Sequence, residues 1–222
     1  MLVIFDLDGT LLDTLSDLTA ATNYALHTCG FAPISASQCQ AFVGNGVSKL
    51  LARALPVAAC NEENLTAVRA AFFTYYQAHL ADHTRPYPGI TELLDQLQAR
   101  GIKIAVCSNK YQAASQRLMD HFFAQINFAC VYGQRTGVPV KPNPAAVAEI
   151  LRVTQETPET CLYVGDSDVD MQTAHNAGVT ACGVTWGFRA RELLARHHPR
   201  YLVDSPAEIL MLPPIEQYNH RP

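Results

Sequence analysis

Asp6-Leu7-Asp8-Gly9-Thr10 sets two carboxylates two residues apart, directly behind the short apolar run 2–5. If that run is a buried strand, both acids project near the carboxyl edge of a parallel sheet, where open α/β folds bind ligands. The same pentapeptide could instead be a polar turn in which Gly9 supplies an unusual φ. A calcium loop would need a run of oxygen ligands ending in Glu, which is missing. A second acidic group, Gly165-Asp166-Ser167-Asp168 with Asp170, follows another apolar run. Its carboxylates could share a hard cation with Asp6, since Mg²⁺ takes few carboxylates and keeps waters and phosphate oxygens. Asp166 is the foremost ligand candidate, and an acidic N-cap is the competing reading. Ser108-Asn109 offers a hydroxyl beside an amide, both able to donate to a phosphoryl oxygen, or else an ordinary turn. Lys141, in a loop restrained by Pro142 and Pro144, is either a solvated charge or a cation aimed at a phosphate.

Elements that could bring these groups together are visible in the apolar pattern. Short runs at 2–5, 103–107, 128–132, 161–164, 181–185 and 201–203 read as strands, most of them separated by helix-length segments, which implies a parallel α/β sheet. The stretch 15–82 breaks the rhythm with helical patterns alone. Leu15, Leu18, Ala25, Leu26 and Cys29 share one face that stops at Gly30. Leu65, Val68, Phe72 and Tyr76 share another after Asn61 as N-cap. The simplest division is an α/β core of residues 1–14 and 83–222 carrying a helical insertion, 15–82. After Leu212 the tail reads as a loose end.

The 222 residues are 49% apolar and only 16% charged, ample for a core. Sixteen basic against twenty acidic residues give a net charge of −4 with no basic block, which disfavours nucleic acid and anionic lipid as partners. No apolar run could span a bilayer and no leader is evident, so the expected location is the cytoplasm. Seven cysteines without a CxxC pair read as reduced core residues.

The four motifs, Asp6 to Thr10, Ser108, Lys141, and Gly165-Asp166 with Asp170, resemble in type and order those of the haloacid dehalogenase superfamily, phosphatase branch. The resemblance implies a Rossmann-like parallel sheet core with an inserted α-helical cap. It implies that Asp6 is a nucleophile forming an aspartyl phosphate, and that Asp8 is the general acid and base. Asp6, the backbone carbonyl of Asp8, and Asp166 would hold Mg²⁺. Thr10, Ser108, Asn109 and Lys141 would contact the phosphate. Asp170 would orient Lys141 or a water on the metal. The acid at position 8 favours phosphate chemistry over dehalogenation, because an alkoxide needs a proton to leave and a halide does not.

Residues 42–55, with Asp13, Thr14, Asp17, Tyr87-Pro88-Gly89 and Val184-Thr185-Trp186-Gly187, resemble the bacterial members that act on 2-phosphoglycolate. Asn143 and Ser108 depart from that group, which commonly has Asp and often Thr there. The substrate is expected to be a small phosphorylated metabolite whose carboxylate meets the loop of Gly44, Asn45, Gly46 and Lys49. Backbone N–H groups at a helix start suit an anion there, although a Gly-rich connection between helices has the same spacing. Arg53 and Lys110 are further cations for that carboxylate. Sugar-phosphate mutase, pyrophosphatase and nucleotidase share the architecture, and a catalytically silent phosphate- or Mg²⁺-binding regulator is the non-enzymatic alternative.

Overall fold

The computed structural model describes the backbone of residues 1–220 and the side chains of residues 1–218. β1 (Leu2–Phe5) has every residue buried, with Val3 and Phe5 in the cluster on one sheet face and Leu2 and Ile4 in the cluster on the other. That alternation across two apolar layers is what a central parallel strand requires.

The chain then leaves the sheet through β2 (Leu12–Asp13) and forms α1 (Leu15–Thr28), α2 (Ala36–Phe42), α3 (Val47–Ala54) and α4 (Glu62–His79). It returns through β3 (Arg85–Pro86), which pairs antiparallel with β2, so a two-stranded ribbon forms the base of the helical insertion. Asn61 caps α4 by accepting from Asn64 N, and α4, which packs on α1, buries Val68, Phe72 and Tyr76. Asp17, in the first turn of α1, is buried among apolar neighbours yet fully partnered. Its carboxylate accepts from the backbone N–H groups of His83 and Thr84 and from Thr84 Oγ1, tying the start of the insertion to its end.

The α/β rhythm resumes with α5 (Ile90–Ala99), β4 (Lys103–Tyr111), α6 (Gln112–Phe122), β5 (Phe128–Gln134), α7 (Ala145–Thr154), β6 (Cys161–Gly165), α8 (Asp168–Ala177) and β7 (Thr180–Val184). α9 (Arg191–Ala195), β8 (Tyr201–Val203), α10 (Pro206–Ile209) and α11 (Pro213–Glu216) complete it. The six strands are parallel in the order β5-β4-β1-β6-β7-β8. From β1 the connections run outward to β4 and β5, then cross to β6 on the other side. The crevice created by this reversal lies at the carboxyl end of β1, beyond Phe5.

Two expectations are corrected. The strand starting at Lys103 does not end at Cys107 but continues to Tyr111, with its pairing to β5 interrupted between those residues. The described part of the tail after Leu212 is not loose, because Pro213 starts α11 and Ile215 is fully buried in the core, while Arg221 and Pro222 lie outside the described residues. All seven cysteines are free thiols. Among the described residues no helix is long and apolar enough to cross a membrane.

Candidate active site

The ends of β1 and β6, the last part of β4 and one loop deliver polar side chains into this crevice. Asp6 directly follows β1, and its Oδ1 accepts from Leu7 N at 2.7 Å and lies 2.9 Å from Lys141 Nζ. Lys141 comes from the loop before α7 and is almost wholly buried. Its ammonium also meets Asp170 Oδ1 at 2.7 Å and the Cys107 carbonyl at 3.0 Å. Burial alone would pull the Lys141 ammonium down, but Asp170 and Asp6 outweigh it and the net displacement is upward, so it remains a cation.

Asp170 is saturated. Its Oδ1 accepts from Lys141 and from Tyr163 Oη, and its Oδ2 from Ser167 N and Oγ. Ser167 is the N-cap of α8 and Asp170 closes the capping box, so the cap is Ser167 and not Asp166. Asp166 instead faces the crevice, where Oδ1 accepts from Thr10 Oγ1 at 3.0 Å and Oδ2 from Phe188 N at 2.7 Å. The backbone is threaded tightly around it. Gly9 has a φ of +86°, and a side chain on it or on Gly187 would collide with the Asp166 carboxylate.

Asp6, Asp166 and Asp170 offer carboxylate oxygens that all lie within 4.8 Å of one another. Burial, then the charge of Asp170, raises the Asp6 carboxyl to about 7 even though Lys141 pulls it down. Burial, then Asp170 and Asp6, holds Asp166 well above the ordinary carboxylate range. Three buried acids against the single ammonium of Lys141 leave an excess of negative charge that a cation would relieve. Each Asp170 oxygen already takes two donors, one of them the Lys141 ammonium, whereas each Asp166 oxygen takes one and the contacts of Asp6 fall on Oδ1, so Asp6 and Asp166 are the side chains that fit a hard, oxygen-seeking ion.

Asp8 lies beside this cluster with a different set of partners. Its Oδ1 accepts from Thr14 Oγ1 at 2.7 Å, and Lys110 Nζ donates to both oxygens at 3.0 and 3.2 Å. Consecutive residues Ser108, Asn109 and Lys110 all line the cavity, which a regular strand with alternating side chains would not allow, because the pairing of β4 with β5 is interrupted there.

The structure redistributes several residues named from sequence. Asp6, Asp8, Ser108, Asn109, Asp166, Gly44 and Gly46 line one cavity. Thr10 is fully buried with its hydroxyl on Asp166, so the side chain supports a carboxylate and not a phosphate. The side chain of Asn109 exchanges hydrogen bonds with the backbone of Lys141 and donates to the Gly44 carbonyl, which makes it a strut between loop and insertion. Asn45 and Lys49 do not line the cavity. Asn45 Oδ1 accepts from Arg53 Nη2, and Lys49 lies on the exposed side of α3.

Sequence reasoning missed Tyr163, the pairing of Lys110 with Asp8, and the segment Phe188-Arg189. Arg189 donates to the carbonyls of Gln40, Ala41 and Val43 at the end of α2, while Gln40 Nε2 donates back to the Phe188 carbonyl. An arginine after a strand carries no signal for such partners. Tyr163 had one, a hydroxyl within an otherwise apolar run.

The family model for the haloacid dehalogenase-like hydrolases matches residues 3–184. The chain is 34% identical over 217 residues to a phosphoglycolate phosphatase of Vibrio vulnificus, with 94% of each chain covered. It is 33% identical over 214 residues to phosphoglycolate phosphatase 1 of Pseudomonas aeruginosa, covering 94% of this chain and 78% of that one. A crystal structure from Haemophilus somnus, described as a predicted phosphoglycolate phosphatase, superposes with a TM-score of 0.89 at 31% identity, over 95% of this chain and 96% of that one.

Proposed function

The chain belongs to the haloacid dehalogenase-like hydrolases and is a phosphatase, and from that premise we propose that it hydrolyses 2-phosphoglycolate by way of a phosphoryl group carried on Asp6. The observation that carries this reading is the position of Asp6 at the crevice edge, 2.9 Å from Lys141 and grouped with the Asp166 carboxylate. The relatives named for phosphoglycolate supply the substrate. The cavity agrees in scale, with about 50 Å³ open to the centres of water molecules, room for a few waters and hence for a small leaving group.

Mg²⁺ held by Asp6, Asp166 and the backbone carbonyl of Asp8 would act as a Lewis acid, offsetting charge between carboxylate and phosphate. The protein's own steps follow from its side chains. Asp6 attacks phosphorus, and the bond to the leaving oxygen breaks as Asp8 hands that oxygen a proton. A water then attacks the aspartyl phosphate while Asp8 takes the proton back, releasing phosphate and restoring the Asp6 carboxylate. Lys141 and the Ser108 hydroxyl face the equatorial oxygens, where charge spreads in a loose transition state. Asp170 and Tyr163 keep Lys141 in place. The helical insertion acts as the cap over the cavity, with the β2/β3 ribbon at its hinge.

Asp6→Asn tests the reading, with phosphate release from 2-phosphoglycolate in Mg²⁺ as the readout. Turnover should fall by about a thousandfold or more, as for loss of a nucleophile in other covalent catalysts. A variant that retains more than about a tenth of the rate removes Asp6 from the mechanism.

A further inference from the structure

Given 2-phosphoglycolate as substrate, the open question is which side chains meet its carboxylate, since Asn45 and Lys49 do not line the cavity. On the cap side the wall is nearly all apolar, made by Leu18, Val43, Val47, Leu50 and Phe72. Arg189 reaches the cavity, but its guanidinium is engaged by the carbonyls at the end of α2. Two donors remain.

Lys110 has a side chain only 3% exposed, with its ammonium on Asp8 and 4.9 Å from the centroid of the Tyr76 ring. An ammonium carries three N–H groups, and Asp8 takes two contacts. Tyr76, from α4 of the cap, is 1% exposed, and its hydroxyl has no hydrogen-bond partner among the described residues. A buried hydroxyl without a partner is costly, and here it belongs to a residue that lines the cavity next to a cation. In 2-phosphoglycolate the carboxyl carbon stands two bonds from the leaving oxygen. An oxygen placed to receive a proton from Asp8 therefore puts the carboxylate within reach of a cation that itself touches Asp8.

We propose that Lys110 Nζ and Tyr76 Oη together form the subsite for the leaving-group carboxylate and select short 2-phospho acids over phosphomonoesters with an uncharged leaving group. Core and cap each supply one donor, so the subsite is complete only when the cap is seated. The phenol acts as a neutral donor, because burial raises it far above the physiological range.

The test compares 2-phosphoglycolate with 2-hydroxyethyl phosphate, which keeps the length and loses the charge, for the unmodified enzyme, Tyr76→Phe and Lys110→Gln, all in Mg²⁺. The unmodified enzyme should prefer the acid. Tyr76→Phe should lower the ratio of kcat/KM values about tenfold or more, mainly through KM for the acid, as for a hydrogen bond to a charged group. Lys110→Gln should lower the ratio further. Tyr76→Phe removes only the hydroxyl and keeps the ring under Lys110, so it carries the test if Lys110→Gln does not fold. An unmodified enzyme that prefers the acid, with variants that keep the ratio or lose both substrates equally, overturns the subsite and leaves the function standing. An unmodified enzyme with no preference for the acid overturns both.

Discussion

The core wall and the cap wall of the cavity are built on opposite plans. On the core side nearly every polar atom is held by another: Asp170 by Lys141, Tyr163 and Ser167, Asp166 by Thr10 and Phe188, and Asp8 by Thr14 and Lys110. On the cap side the side chains are apolar except for the Tyr76 hydroxyl, which has no hydrogen-bond partner among the described residues. The core wall thus fixes atoms for a reaction, while the cap wall limits size and polarity. Placement needs a network in which each rotamer is locked, whereas selection by exclusion needs only shape and a single well-aimed donor.

Substitutions on the two walls should therefore differ in scale. Lys141→Met removes the ammonium that touches both Asp6 and Asp170. It should reduce kcat by about 10²- to 10³-fold on any phosphomonoester, measured alongside a folding check by circular dichroism. A loss confined to 2-phosphoglycolate would place this lysine on the wrong side of the contrast.

The core wall should also show itself in stability. The Asp6 carboxyl is raised from 3.8 to about 7, so between about pH 4 and 7 the folded protein keeps a proton that the unfolded chain has released. Stability without a divalent ion should then fall as pH rises through that window, because the charged form is the disfavoured one in the fold. Mg²⁺ held by Asp6 and Asp166, as proposed, would relieve the charged form, so it should raise Tm by several degrees at pH 8 and by little at pH 5. Equal increments at both pH values would detach the ion from these carboxylates.

The smallest effect is expected at Lys49. Its exposed place on α3 predicts that Lys49→Ala changes kcat/KM for 2-phosphoglycolate by less than about twofold. A loss comparable to that of Lys141→Met would erase the distinction between the walls.

The same division governs what could be read from the chain. The apolar run before Asp6, the stripe of Val68, Phe72 and Tyr76, and the Asn61 cap were legible because burial imposes period and capping imposes residue type. The acids and the lysine were legible as candidates because charged residues at strand ends are conspicuous. Their partners were not. Lys110 meets Asp8 across 102 positions, and Arg189 meets Gln40 across 149. Periodicity records which side of an element is covered and carries nothing about what covers it. Thr10 and Asn109 show the related error, since their donors fit a phosphate on paper but are engaged by Asp166 and by the loop backbones. The tail helix was obscured by Pro213-Pro214, which reads as a breaker yet supplies the first turn of α11.

Arg189 grips α2 through the carbonyls of Gln40, Ala41 and Val43, and the reciprocal bond from Gln40 also lands on a carbonyl. Peptide oxygens are present whatever residue occupies a position, so the three sites Arg189 holds can drift without loosening its grip. New tastes in substrate can then evolve on the roof while its fastening is inherited unchanged.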